Sequence, residues 1–191
     1  MELADRKRIC SFTIDWEPYF AFKSYGKFWE ENDPLIEEPT LYILDLLRRH
    51  NIKAIFYVVG WMADKRPDLI EMIKKDGHII GDHTYYHTYE NWSKEKLSDP
   101  LFRSPRWHGT KPPGLCGGTF FKILPYNILK NNLLKTKIFW IHPHDILLQH
   151  PVCDGFIQNF KRQVGLKTVR DKLERLVRGI EWQEASQPQK S

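Results

Sequence analysis

Ile9-Cys10-Ser11-Phe12-Thr13-Ile14-Asp15-Trp16-Glu17 is an apolar, β-prone run with two carboxylates at its far end. Residues 8–15 read as a buried strand. Pro39-Thr40 then opens a helix with Leu41, Ile43, Leu44 and Leu47 on its apolar face, closed by Asn51 in the manner of a C-cap. Residues 52–59, Ile-Lys-Ala-Ile-Phe-Tyr-Val-Val, are β-branched and aromatic and predict a strand stopped by Gly60. Pro67 starts a second helix carrying Leu69, Ile70 and Ile73 and ended by Gly77, and residues 78–82 give a third short strand. A β-α-β-α-β order at this spacing implies parallel strands joined by right-handed crossovers, hence an α/β fold.

Further along, Lys137-Ile138-Phe139-Trp140-Ile141 predicts a strand that ends at His142. Thr168 with Asp171 reads as a capping box opening a last helix, whose stripe is Val169, Leu173, Leu176, Val177 and Ile180. The chain has 191 residues, enough for one domain with a sizeable core. We expect that domain over residues 1–182 and a disordered tail over 183–191.

Net charge is +5, but Lys and Arg are spread along the chain, and no nucleic-acid-binding pattern accompanies them. Nucleic acid is therefore not an expected partner. Cys10, Cys116 and Cys153 are odd in number and far apart, which argues for buried apolar roles rather than disulfides. The charged opening residues lack a signal-peptide apolar region and no stretch approaches a membrane span, so a cytoplasmic location is expected of the chain as written.

Asp15, His83 and His142 each follow the C-terminal end of a predicted strand, the edge on which parallel α/β folds build their sites. His83-Thr84-Tyr85-Tyr86-His87 offers two imidazoles four residues apart, and Glu17 adds a carboxylate. That is the donor set of a catalytic zinc with one position left for water. Asp15, two residues earlier, could serve as a base toward that water. Arg103, in Arg103-Ser104-Pro105-Arg106-Trp107, could hold a buried carboxylate oriented, and Trp107 could offer a flat wall to a sugar ring. In Ile141-His142-Pro143-His144-Asp145, His142 at the strand end is the better candidate acid; strand alternation turns His144 elsewhere, toward a structural role.

These motifs resemble the polysaccharide deacetylases, metal-dependent carbohydrate esterases that share the nodulation-protein-B homology domain. Thr13-Ile14-Asp15-Trp16-Glu17 is similar to the first motif of that family, His83 to His87 to the second, Arg103 to Trp107 to the third, and His142 to the last. The resemblance implies Asp15 as base, Glu17, His83 and His87 as metal ligands, Arg103 bracing the base, His142 as acid, and Trp107 and Tyr86 at the substrate. It implies a divalent metal, zinc first with cobalt or nickel able to stand in, and an N-acetylated glycan as substrate. Glu17-Pro18-Tyr19-Phe20, the stretch from Gly117 to Tyr126, and His142-Pro143 followed by the helix from Val164 to Val177 look like the exosortase-associated exopolysaccharide branch. The likeness spans residues 9 to about 178.

The chain is short for the family between His87 and Arg103 and between Trp107 and Gly117, and no counterpart of the Asp that orients the catalytic His is visible in those gaps. The expected architecture is accordingly an incomplete, distorted (β/α) barrel with parallel strands, open beside Arg103 and Trp107. Two functions follow: a metal-dependent hydrolase removing N-acetyl groups from a polysaccharide, or a catalytically impaired glycan-binding or scaffold member of the same fold. The missing Asp predicts weak activity. Oligomeric state is left open.

Overall fold

The computed structural model of the protein describes residues 9–23, 26–87, 102–103, 116–151 and 155–183. Strand β1 (Ile9–Trp16) is the centre of a six-stranded sheet. It pairs in parallel with β2 (Ile55–Val58), which pairs with β3 (Ile79–Asp82), which pairs with β4 (Phe102–Arg103). Its other edge is shared: β5 (Ile138–Ile141) takes Ser11 to Ile14, and β6 (Glu181–Trp182) takes Ile9 and Cys10. The described sheet does not close; β4 and β5 are its two edges. Residues 88–101 and 104–115 lie outside the described residues. Among the described residues the sheet is thus open, as expected, with Arg103 on one of its edge strands.

Alternation along β1 divides its chemistry. Cys10, Phe12, Ile14 and Trp16 are fully buried in the apolar core, whereas Ser11, Thr13 and Asp15 share the opposite face. The core face packs on helix α2 (Glu37–Arg49), where Trp16 Nε1 donates to Thr40 Oγ1 at 2.8 Å. That helix has Glu37 and Glu38 in its first turn and Arg48 and Arg49 in its last, each complementing the helix dipole. Ile43, Leu44, Leu46 and Leu47 are buried, but Leu41 is 39% exposed and is not part of the packed face. The helix closes as expected: Asn51 has φ 50, and the Ile52 N–H reaches back to Leu47 O.

The strand does not stop at Gly60. It ends at Val58, and Gly60 opens a short helix, α3 (Gly60–Lys65), that the sequence reading did not foresee. Helix α4 (Pro67–Lys75) follows the expectation, with Pro at its first position and Gly77, φ 76, beyond its end. Helices α1 (Lys27–Glu31), α5 (Gly118–Ile123), α6 (Tyr126–Thr136) and α7 (Phe156–Gln163) complete the described set before the last, α8 (Leu166–Gly179). That last helix buries Val169, Leu173, Leu176 and Val177. Its start differs from the expectation. Gly165 in the left-handed region precedes Leu166, and the Thr168 hydroxyl turns back to Gly165 O at 3.4 Å, so Thr168 makes no capping box. Gln183 continues the order into the expected tail, its N–H donating to Cys10 O at 2.7 Å; residues 184–191 lie outside the described residues. Cys10 and Cys116 are buried, as read; Cys153 is outside the described residues. Among the described residues no helix is long and apolar enough to cross a membrane.

Candidate active site

The C-terminal ends of β1, β3 and β5 meet at one place. Glu17 follows β1 by one residue, with its carboxylate buried. Its Oε2 lies 3.0 Å from His87 Nε2 and 3.3 Å from His83 Nε2, and its Oε1 lies 3.6 Å from His142 Nε2. Asp15 Oδ2 is 4.0 Å from the same His142 nitrogen. Register explains the convergence: Ile14 pairs with Ile141, so the next residues along, Asp15 and His142, stand level.

The histidine loop is held from below. The His83 N–H donates to Val58 O at 3.0 Å, extending the β3–β2 ladder by one residue. Asp82 Oδ1 then accepts the Thr84 N–H at 2.8 Å, an Asx turn that bends the chain. Thr84 and His87 both take positive φ, 64 and 56, a costly conformation for a β-branched residue. What sustains it is α3: the first amides of that helix, Gly60 and Trp61, donate to Thr84 O and Tyr85 O, each at 3.0 Å. A Cβ at Gly60 would fall 2.6 Å from the Tyr85 ring, so only glycine lets the loop sit there. The unforeseen helix is thus the support of the two imidazoles.

His142 is set differently. Its peptide N–H donates to Asp145 Oδ2 at 3.0 Å, and its Nδ1 lies 2.9 Å from the same oxygen. Residues Pro143–Ile146 form a 3-10 turn that brings Asp145 back under the imidazole. This corrects the sequence reading on two points. An acid does orient His142, three residues on rather than in the missing stretches. His144 does not turn away: strand alternation stops at His142, and the two rings stack at 4.5 Å and 11°. The reading of an impaired protein loses the missing Asp as a ground. Asp145 is held in turn by Lys122 of α5, whose fully buried ammonium lies 3.3 Å from Asp145 Oδ1 and donates to Lys161 O at 2.7 Å. Sequence reasoning missed Lys122 altogether. The signal for Asp145 was present, because His-Pro-His-Asp has Pro at the first and an acid at the third position of a turn.

The two β1 carboxylates are driven apart electrostatically. Burial raises the pKa of Asp15, and His83 and His142 only partly offset it. Burial also acts to raise Glu17, but the His142 charge and the adjacent His83 and His87 imidazoles hold it well below the usual carboxylate range. For His142, burial works against protonation, and Glu17 and Asp145 outweigh it, carrying the imidazole up to about 9. Burial and the adjacent His142 hold His144 well below its ordinary value. Two carboxylates with opposed shifts, two residues apart, can divide a base's work from a ligand's.

Glu17 Oε2 is buried and makes no hydrogen bond of good geometry despite two imidazole nitrogens within 3.3 Å. Ligand atoms of Glu17, His83 and His87 lie within 4.8 Å of one another, so this set can hold a metal ion. Glu17, His142 and His144 meet the same distance test but share Glu17 with it, and His142 Nδ1 is already engaged by Asp145. Of the other residues singled out, Arg103 is brought in register with Asp82, the residue before His83. Tyr86 packs edge-on against Tyr85 at 4.5 Å, at the margin of the core. Trp107 lies outside the described residues.

A peptidoglycan-N-acetylglucosamine deacetylase of Bacillus cereus is 48% identical over 50 residues, which is 26% of this chain and 18% of that protein. A second one from the same organism is 40% identical over 63 residues, 32% of this chain and 30% of that protein. A chitin deacetylase of Colletotrichum lindemuthianum is 40% identical over 53 residues, 25% of this chain and 21% of its own. The chain thus spans less than a third of the length of these relatives. A solved peptidoglycan N-acetylglucosamine deacetylase has the same fold, with a TM-score of 0.52 at 20% identity, covering 97% of this chain and 90% of that one. The family model described as polysaccharide deacetylase matches residues 11–106, just over half of the sequence and the part that supplies Asp15, Glu17, His83 and His87. On that match the chain belongs to the polysaccharide deacetylase family.

Proposed function

We propose that this protein is a metal-dependent deacetylase that cleaves the acetamide C–N bond of an N-acetylated glycan. One observation carries the reading: Asp15 and Glu17, oppositely shifted, lie between the His83–His87 pair and a His142 oriented by Asp145. A divalent cation held by Glu17, His83 and His87, zinc first with cobalt or nickel able to replace it, would supply Lewis acidity toward the acetamide carbonyl and its attacking water. Asp15, with its raised pKa, accepts the proton of that water. His142 holds a proton up to about pH 9 and delivers it to the departing amine. Asp145 fixes the ring so that Nε2 presents that proton toward Asp15 and Glu17. Arg103 braces Asp15, and Trp107 with Tyr86 contacts the sugar. The products are acetate and a free amino sugar.

Residues 1–182 form the single domain that does this work. The likeness of the Gly117 to Tyr126 stretch to the exosortase-associated branch supports an exopolysaccharide as the glycan. The test is acetate release from a panel of N-acetylated glycans after loading with Zn²⁺, Co²⁺ or Ni²⁺. Release that disappears on chelation and in Asp15→Asn is the expected result; no acetate from any glycan with any of the three metals defeats the proposal.

A further inference from the structure

A cavity of about 150 Å³ lies against Glu17 and His142. Trp140, His144, Lys161 and Arg162 also line it. Its volume suits one substituent of a sugar rather than a ring, since sites for whole small molecules run to roughly 300 Å³ and more. The charge of its wall is unevenly committed. Both carboxylates are engaged, Glu17 with His83 and His87 and Asp145 with His142 and Lys122. Neither Lys161 nor Arg162 has an acidic partner among the described residues; the Arg162 guanidinium stands only over the Phe22 ring at 5.6 Å. The two rings on the wall, Trp140 and His144, turn buried nitrogens away from it, since neither Trp140 Nε1 nor His144 Nδ1 is accessible. The uncommitted charged groups of the wall are therefore the two cations, Lys161 and Arg162.

The placement is built in. Lys122, which holds Asp145, donates to the carbonyls of Lys161 at 2.7 Å and Arg162 at 3.4 Å. One buried side chain therefore fixes the end of α7 to the residue that orients His142. A Cβ at Gly117 would meet the Trp140 ring at 2.4 Å, so the indole is closely backed by that glycine.

We propose that the glycan taken by this site carries a carboxylate beside the acetamide, bound by Arg162 and Lys161. The proposal rests on the deacetylase reading for the identity of the substrate as a glycan. It sets the substrate class as an acidic, uronate-type N-acetylated polymer rather than a neutral one.

The test compares two probes of equal length, a hyaluronan tetrasaccharide, which alternates N-acetylglucosamine with a uronate, and neutral chitotetraose. Binding to metal-loaded Asp15→Asn protein is measured by calorimetry at low salt. The acidic probe should bind about 10-fold tighter, a modest yield for charge-assisted hydrogen bonds. Arg162→Gln with Lys161→Gln should bring the ratio close to one, Arg162→Lys should keep most of it, and Lys75→Gln on α4 should leave it unchanged. If the double variant misfolds, Lys161→Gln alone must still lower the ratio. Equal binding of the two probes, no binding of either, or a ratio that ignores Arg162 and Lys161 overturns the proposal. Acetate release by the unsubstituted protein is followed separately. A preserved binding ratio without acetate defeats the deacetylase reading and leaves the carboxylate site standing.

Discussion

Asp145 Oδ2 takes the peptide N–H of His142 at 3.0 Å and lies 2.9 Å from its Nδ1, so one oxygen sets both the backbone turn and the tilt of the imidazole. Asp145→Asn retains the shape but offers an amide where a carboxylate stood. We expect kcat to fall by about 10–100-fold, the usual cost of losing an orienting acid. Metal content should not change. Steady-state kinetics beside elemental analysis checks both parts, and loss of metal in this variant would contradict the assignment.

Metal binding should follow Glu17, His83 and His87. One equivalent of divalent metal per chain is expected in the loaded protein, and close to none in His83→Ala or Glu17→Ala. Asp15→Asn should retain the metal and lose nearly all turnover. If Asp15→Asn lost the metal and Glu17→Ala kept it, the two carboxylates would have exchanged roles.

Lys122 is a buried cation whose one carboxylate partner is Asp145 and whose other bonds go to main-chain carbonyls. Lys122→Met leaves Asp145 short of charge and those carbonyls short of a donor. Breaking such a pair from one side costs about 3–5 kcal/mol. Urea midpoints of Lys122→Met and Lys122→Arg should therefore separate widely, with the arginine variant the more stable. Equal midpoints would mean the pair is not formed in solution.

His78 gives a pH dependence whose sign is fixed. Burial and nearby Lys53 push its pKa from 6.5 down to about 4, and its Nδ1 accepts the Ala54 N–H at 3.2 Å. The unfolded chain therefore binds a proton between about pH 6.5 and pH 4 that the folded chain refuses. Stability is fully present above 6.5 and is lost as pH falls through that window, by up to about 3 kcal/mol at 1.36 kcal/mol per unit. Comparing wild type with His78→Gln at pH 7 and pH 4.5 isolates the residue; equal pH slopes in the two proteins would refute it.

The sequence displayed those parts of the fold that local periodicity controls. Residues 9–16, 67–75 and 138–141 stand where the pattern put them because each is an unbroken apolar run or a single-faced helix. Helix α3 was illegible: Gly60 reads as a strand stop, and its helical role comes from carbonyls of Thr84 and Tyr85 more than twenty residues away. Leu41 was misjudged because helix geometry sets which residues share a face but not how far the neighbours reach. In the site, the candidate ligands and candidate base were visible as paired spacings at strand ends. Lys122 was not, since nothing near it in sequence marks a lysine for burial; its partners lie twenty-three and thirty-nine residues on.

Strand β1 carries Asp15, with Glu17 just beyond it, yet one of its edges is filled by β5 and β6, whose residues come more than 120 positions later. Assembly on the ribosome must therefore leave Ser11 to Ile14 bare until β5 has emerged, and Ile9 and Cys10 bare until β6 has. Long-separated pairings of this kind are slow to form and expose unpaired edges in the interim. The residues read first would be the last to reach working order, so a short C-terminal deletion removing β6 should impair folding yield before it alters any group that does chemistry.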